Sequence, residues 1–350
     1  MDKLFPFNNI NSGKYMRFRI TLLCVSLALM LMHGGVWAQT PIVIRFSHVV
    51  ASDTPKGKAA ERFKELAEKA TKGRVRIDIY PNSSLYKDKE ELEALQLGAV
   101  QMLAPSLAKF GPLGIKEFEV FDIPYIFPNK EVLYAVTEGP IGKELMKKLE
   151  PKGITGLAFW DNGFKVMSAD RPIHRPSDMA GLKFRIQSSR ALDTQMRVLN
   201  TKPQMLPFSE VYQALQTGMI DGTENPPSNF YTQKMYQVQQ HLTVTNHGYL
   251  GYAVIVNKKF WDELPGDIRE ALEGAMKEAT RYENAIAQQE NDQALELIRQ
   301  TKKTKIYLPD DKEKAEWRQA LLPVQHEMEA RIGKDLIRKV NAEAERLAHH

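Results

Sequence analysis

Residues 181–225 pack strand, helix, strand, helix and strand into forty-five residues, and so tight an alternation of the two periods fits an open α/β layer. In Leu182-Lys183-Phe184-Arg185-Ile186 the apolar residues alternate, which sends Leu182, Phe184 and Ile186 into a core and turns Lys183 and Arg185 the other way. Arg185 thereby stands near a strand's carboxyl end. Ligands of open α/β sheets bind at that end, and a guanidinium there offers a rigid fork of donors matched to a carboxylate. On the strand pattern alone, a surface ion pair explains Arg185 equally well. The pattern continues with a helix over 188–200 and an extended run over 204–206, closed by Pro207 and Phe208. A second helix over 210–217 is capped by Ser209 and stopped by Gly218, and a strand over 219–223 runs into Glu224-Asn225-Pro226-Pro227.

The same placement of polar groups recurs along the chain. Ile42, Ile44 and Phe46 alternate with Val43, Arg45 and Ser47, a strand that delivers His48 to its end. A strand over 100–104 is followed by Ser106, and one over 154–159 by Trp160-Asp161-Asn162-Gly163-Phe164-Lys165. Parallel strands would gather His48, Ser106, Trp160 and Arg185 along one edge. Thr54-Pro55 opens a helix in the cap-then-proline pattern and puts Lys56 in its first turn. A strand beginning at Lys165 leads into a second domain, a helix spans 228–240, and a strand over 249–257 leads back. From Pro265 to about Gln300 the helical periodicity is unbroken, roughly 50 Å at 1.5 Å per residue, which is more than one domain needs.

Composition narrows the function classes. With 43% hydrophobic and 26% charged residues in 350, the chain can bury two substantial cores. Arg17 and Arg19 precede an apolar run over 20–32, and Val36-Trp37-Ala38 offers a cleavage site, so residues 1–38 read as a secretory signal, with Met16 an alternative start. Its removal takes away Lys3, Lys14, Arg17, Arg19 and Asp2, a net +3, and leaves +2 of the formal +5. No basic patch interleaved with aromatics remains to support nucleic-acid binding. The one cysteine, Cys24, lies in the signal, preceded by the bulky Leu23 where a lipid-attachment site needs a small residue. The mature chain therefore has no thiol for a disulfide, a metal or a nucleophile. His241 and His247 lack a third metal ligand at supporting spacing.

Several long segments resemble the substrate-binding subunits of tripartite ATP-independent periplasmic (TRAP) transporters, of the DctP type. These are FSHVVASDTPKGKAAERF from 46, QLGAVQMLAPSLAKF from 96, WDNGFK from 160, FSEVYQALQTGMIDGTENPPSNFY from 208 and HGYLGYAVIVNKKFW from 247. The resemblance implies an α/β, two-lobed periplasmic binding protein of the Venus-flytrap kind with a long helix bracing both lobes. One lobe would comprise residues 39–163 with about 250–285, and the other 164–249 with about 286–350. It further implies that Arg185 anchors a substrate carboxylate, that the Asn225 amide is a second contact and that the Phe208 ring packs on the bound acid. Lys165 occupies a position where relatives often carry arginine, and it or Lys56 would take a second carboxylate, although a lysine without the bidentate fork binds as a point charge. Trp160, Ser106, Asn162, Gln187 and His48 are further candidates for the pocket wall.

The implied ligand is a small organic acid, a four-carbon dicarboxylate such as succinate, fumarate or malate, with monocarboxylates and keto acids as alternatives. The implied partners are the small and large membrane subunits of the transporter, with the binding protein a periplasmic monomer that uses no cofactor. A secreted enzyme acting on an organic acid, with Lys165 or His48 as base, is the contrasting reading. It finds no Gly-x-Ser-x-Gly elbow, no His-Glu-x-x-His and no phosphate-binding glycine loop to support it.

Overall fold

The computed structural model describes residues 1–2 and 40–348. The signal, its cleavage point before Gln39, Met16 and Cys24 lie outside the described residues. Among the described residues no helix is long and apolar enough to cross a membrane. Residues 41–350 form a unit of their own. In chain order its strands are β1 (Ile42–Ser47), β2 (Val75–Tyr80), β3 (Met102–Leu103), β4 (Ile154–Phe164), β5 (Val166–Ala169), β6 (Lys183–Ile186), β7 (Lys202–Met205), β8 (Gly222–Asn225), β9 (His241–Thr243), β10 (Tyr249–Asn257) and β11 (Lys305–Tyr307). Its helices are α1 (Pro55–Ala70), α2 (Glu91–Gln96), α3 (Lys130–Glu138), α4 (Pro140–Lys147), α5 (Arg190–Val198), α6 (Val211–Gln216), α7 (Pro227–Thr232), α8 (Lys258–Glu263), α9 (Gly266–Thr301), α10 (Asp311–Ile332) and α11 (Lys334–Ala348).

The strands form two sheets, ordered β2-β1-β3-β10-β4 and β11-β9-β5-β8-β6-β7, one in each lobe. Within the first, β1 runs parallel to β2 and β3 while β10 runs antiparallel to β3 and β4. Within the second, β6 is parallel to β7 and β8 while β5 is antiparallel to β8 and β9. Each sheet thus holds one reversed strand, and in each it is the strand that arrives from the other lobe. The parallel strands direct their carboxyl ends at the facing lobe, so a chain crossing straight over enters at those ends and runs back against them. The strands that lead to His48, Ser106, Trp160 and Arg185 are parallel within their own sheets, and the reversal is confined to β5 and β10.

Three other boundaries differ from the periodicity. β4 continues through Trp160 to Phe164 because β10 offers a partner of matching length, Tyr252 opposite Trp160 and Tyr249 opposite Phe164. Trp160 and Asn162 therefore lie within a strand, not beyond one. β8 starts at Gly222 and includes Asn225, which pairs with Val166. The helix expected over 228–240 stops at Thr232 and gives way to a 3-10 turn, Met235–Gln237, with Lys234 in the left-handed region at φ 57°.

The long helix α9 has 36 residues and spans about 54 Å at 1.5 Å per residue. Ile268, Leu272, Ala275, Met276 and Ala279 in its first half join the core between α1 and the first sheet. Ile298 near its end joins the core of the second sheet with Val166, Val211 and Leu242. It braces both lobes. Between the two cores, Asn291 donates to the Asn162 carbonyl at 2.7 Å and accepts from the Ser228 amide at 2.9 Å, tying β4 to α7. Gly163 makes this approach possible: its φ is 108°, and an added Cβ would stand 2.6 Å from the Asn291 amide nitrogen.

Candidate functional site

β6 builds the second lobe's half of the site. Phe184 and Ile186 are fully buried in the core, and Arg185, on the opposite face, is itself only 2% exposed. Its Nε and Nη2 both donate to the Leu206 carbonyl, at 3.0 and 2.9 Å, and its guanidinium lies 5.8 Å from the centre of the Phe208 ring. Among the described residues no carboxylate ion-pairs with it. Burial lowers its pKa, opposed by the more distant Asp88 and Glu224. A guanidinium oriented through one edge, with Nη1 uncommitted and no counter-ion in contact, is suited to an incoming carboxylate. Asn225 is buried, its amide donating to Thr223 Oγ1 at 3.2 Å and approaching Met235 Sδ at 3.7 Å.

Lys165 is also buried, but it is already paired. It sits between β4 and β5, its backbone N–H on the Gly248 carbonyl at 2.8 Å, and its Nζ meets Glu224 Oε1 at 2.6 Å. Glu224 Oε2 takes Gln195 Nε2 at 3.0 Å and His247 Nε2 at 2.8 Å. Burial alone would raise the pKa of Glu224, yet Lys165 and His247 hold it well below the usual carboxylate range. This group ties both crossing connections, 164–166 and 244–248, to β8 beside Asn225. Sequence reasoning passed over Glu224 and weighed His247 only as a metal ligand. Nothing in the sequence marked Glu224, because the burial of all four residues of β8, which demands a partner for a carboxylate, appears only in the fold.

The first lobe contributes Lys56, His48, Ser106 and Asn162. Thr54 caps α1 through Gly57 N–H at 3.1 Å, which turns Lys56 inward. Its Nζ donates to the Ala104 carbonyl at 2.9 Å and lies 3.6 Å over the Tyr252 ring, with no carboxylate ion-paired to it among the described residues. Burial brings its pKa down to about 7, a fall opposed by Glu91, Asp88 and Glu283 and assisted by Lys109. His48 is buried with both ring nitrogens unpartnered, its pKa pushed to about 3 by burial and then by Lys56, so it is neutral. Both polar side-chain atoms of Asn162 are buried and unpartnered as well. Trp160 belongs to the core, its indole N–H on Thr280 Oγ1 at 2.9 Å and its ring 6.1 Å from that of Phe46.

Three contacts join the lobes here. Gln187, two residues beyond Arg185, donates to Ser106 Oγ at 2.8 Å, and Ser106 is bridged to Tyr252, whose ring carries the Lys56 ammonium. A continuous path therefore links the Arg185 strand to Lys56. Asp88 Oδ2 accepts the Phe208 backbone N–H at 2.7 Å, and Lys87 pairs with Glu210 at 3.3 Å. The arrangement holds two buried cations without ion-paired carboxylates, one per lobe, among neutral donors. Among the described residues no group of three or more His, Cys, Asp or Glu is placed to hold a metal ion.

Residues 46–331 match the profile of DctP, the bacterial extracellular solute-binding proteins of family 7. The chain is 63% identical over 302 residues to a C4-dicarboxylate-binding periplasmic protein DctP of Rhodobacter capsulatus, covering 86% of this chain and 91% of the relative. A crystal structure of a TRAP periplasmic solute-binding protein from Shewanella oneidensis with bound succinate superposes with a TM-score of 0.85 at 40% identity, over 87% of this chain and 99% of that one. A second, from Pseudomonas aeruginosa with bound L-malate, gives 0.80 at 41% identity, over 82% and 100%.

Proposed function

The chain belongs to the DctP family of bacterial extracellular solute-binding proteins, the substrate-binding subunits of TRAP transporters, and from that membership we propose that it captures a four-carbon dicarboxylate between its lobes and delivers it to a membrane permease. The observation that carries the reading is the pair of buried cations, Arg185 and Lys56, each without an ion-paired carboxylate among the described residues and on opposite lobes. Arg185 grips one carboxylate bidentately, Asn225 orients it and the Phe208 ring keeps water off it. Lys56 takes the far carboxylate. Lys165 is assigned to the Glu224 pair instead, because withdrawing it would strand a buried glutamate. Gln187, Ser106, His48 and Asn162 line the space between, and Trp160 supports it from the core.

Succinate and L-malate in related structures support this ligand class. The lobes are taken as residues 39–163 with about 250–285, and 164–249 with about 286–350, working as a periplasmic monomer. The small and large membrane subunits read the closed form. Solute binding is the family's described role, and the ligand is released unchanged in this reading. Calorimetric titration tests the assignment. Arg185→Ala should cost about 2–5 kcal/mol of succinate binding, the range for breaking a buried charge pair. Wild-type affinity in that variant would remove Arg185 as the anchor.

A further inference from the structure

We propose that Asp88 is the latch that holds the two lobes closed over the ligand, a positioning residue that fixes Phe208 against Arg185 without touching the ligand itself. The proposal rests on the reading of Arg185 and Phe208 as the anchor and its wall. Asp88 precedes α2 in the first lobe, and its two oxygens take different partners. Oδ1 is held by Lys109 Nζ at 2.5 Å, and Lys109 is held in turn by Glu91, the first residue of α2. Oδ2 reaches across to the second lobe and takes the Phe208 N–H at 2.7 Å. Phe208 opens the 3-10 turn Phe208–Glu210, so its N–H has no partner within the turn.

The carboxylate is therefore oriented within its own lobe by Lys109, which it shares with Glu91. Opening the cleft would leave the pair with Lys109 intact and expose only the Phe208 N–H and the guanidinium of Arg185, which the Asp88 charge also faces. Its contribution is specific to the closed form. The Phe208 backbone it fastens carries the ring beside Arg185, so closure and construction of the anion site are one event. The neighbouring crossing pair, Lys87 with Glu210, has both side chains about half exposed, and such pairs contribute little.

The test is stopped-flow binding of succinate to the mature protein and to Asp88→Ala, with lobe separation followed by fluorescence energy transfer between labels on the two lobes. A latch that forms after the ligand arrives predicts dissociation faster by about tenfold or more, association within about twofold of wild type, and a more open liganded state. Lys87→Ala should change none of these. Asp88→Asn provides a second variant should Asp88→Ala fail to fold: its amide cannot accept from both Lys109 and Phe208, so a smaller increase in dissociation is expected. Wild-type dissociation in both variants, or a fall in association with unchanged lobe separation, overturns the proposal. If Arg185→Ala weakens succinate while the Asp88 variants do not, the latch fails and the site reading stands. If wild type binds no dicarboxylate, the site reading fails and takes the latch with it.

Discussion

Lys165 and Lys56 are both buried lysines, yet they stand in opposite electrostatic situations. Lys165 touches Glu224 and completes a closed group with His247 and Gln195, whereas Lys56 has only a carbonyl and a ring face. Their substitutions should separate accordingly. Lys165→Met leaves Glu224 buried and uncompensated, a loss of about 3–5 kcal/mol in folding stability measurable by urea denaturation. Lys56→Met should unfold near the wild-type midpoint and lose its preference for succinate over a monocarboxylate. A pH dependence follows from the same contrast. With a pKa of about 7 before ligand arrives, Lys56 is charged below that pH and neutral above it, and a carboxylate beside it favours the charged form. Binding above pH 7 then takes up a proton, and dicarboxylate affinity should weaken toward about tenfold per pH unit between pH 7 and 9. A monocarboxylate held by Arg185 should show no such slope in the same calorimetric titration. At this scale the sequence was informative where chemistry is rare. An arginine on an otherwise apolar strand stood out, while Glu224 and Asp88 did not, because only a fold shows that a carboxylate is buried and whom it meets.

At the scale of elements, periodicity located the strands and helices of residues 181–225 to within a few residues, and the bounds of β1 and α9 follow the apolar pattern closely. It misjudged those whose limits are set by a distant partner. β4 gains Trp160 to Phe164 from its pairing with β10, and β8 is shifted toward Asn225 by its pairing with β5. The reversed direction of β5 and β10 was equally out of reach, since direction depends on which lobe the chain comes from. The crossing at Gly163 is a sharp local test. Gly163→Ala forces a side chain into the left-handed region and against Asn291, and should destabilise the protein by about 1–3 kcal/mol in thermal unfolding. Asn291→Ala in the same background should recover the part that comes from the close approach.

Among the described residues the molecule is two sheets of like construction, joined by two crossings, by the long helix α9 and by a core that α10 and α11 share with both sheets, and Asp88 meets Phe208 where the lobes face each other. Asp88 gives that junction an acid limit. Burial would raise its pKa, but Lys109 above all holds it to about 2, against an ordinary 3.8. The unfolded chain therefore binds the proton more readily, so the stabilisation is present above about pH 4 and is lost as pH falls toward 2. Asp88→Asn should flatten the acid limb of stability against pH by ~2 kcal/mol. The claim on which the rest depends is that the cleft holds an anion with two carboxylates. Thermal unfolding of the mature chain with a panel of mono- and dicarboxylates tests it most directly, since a ligand at one hundred times its dissociation constant adds about 2.7 kcal/mol to the native state. Selective stabilisation by succinate, fumarate or malate is the predicted result. Stabilisation by monocarboxylates alone would contradict the role of Lys56, and no shift with any acid would contradict the account of the site.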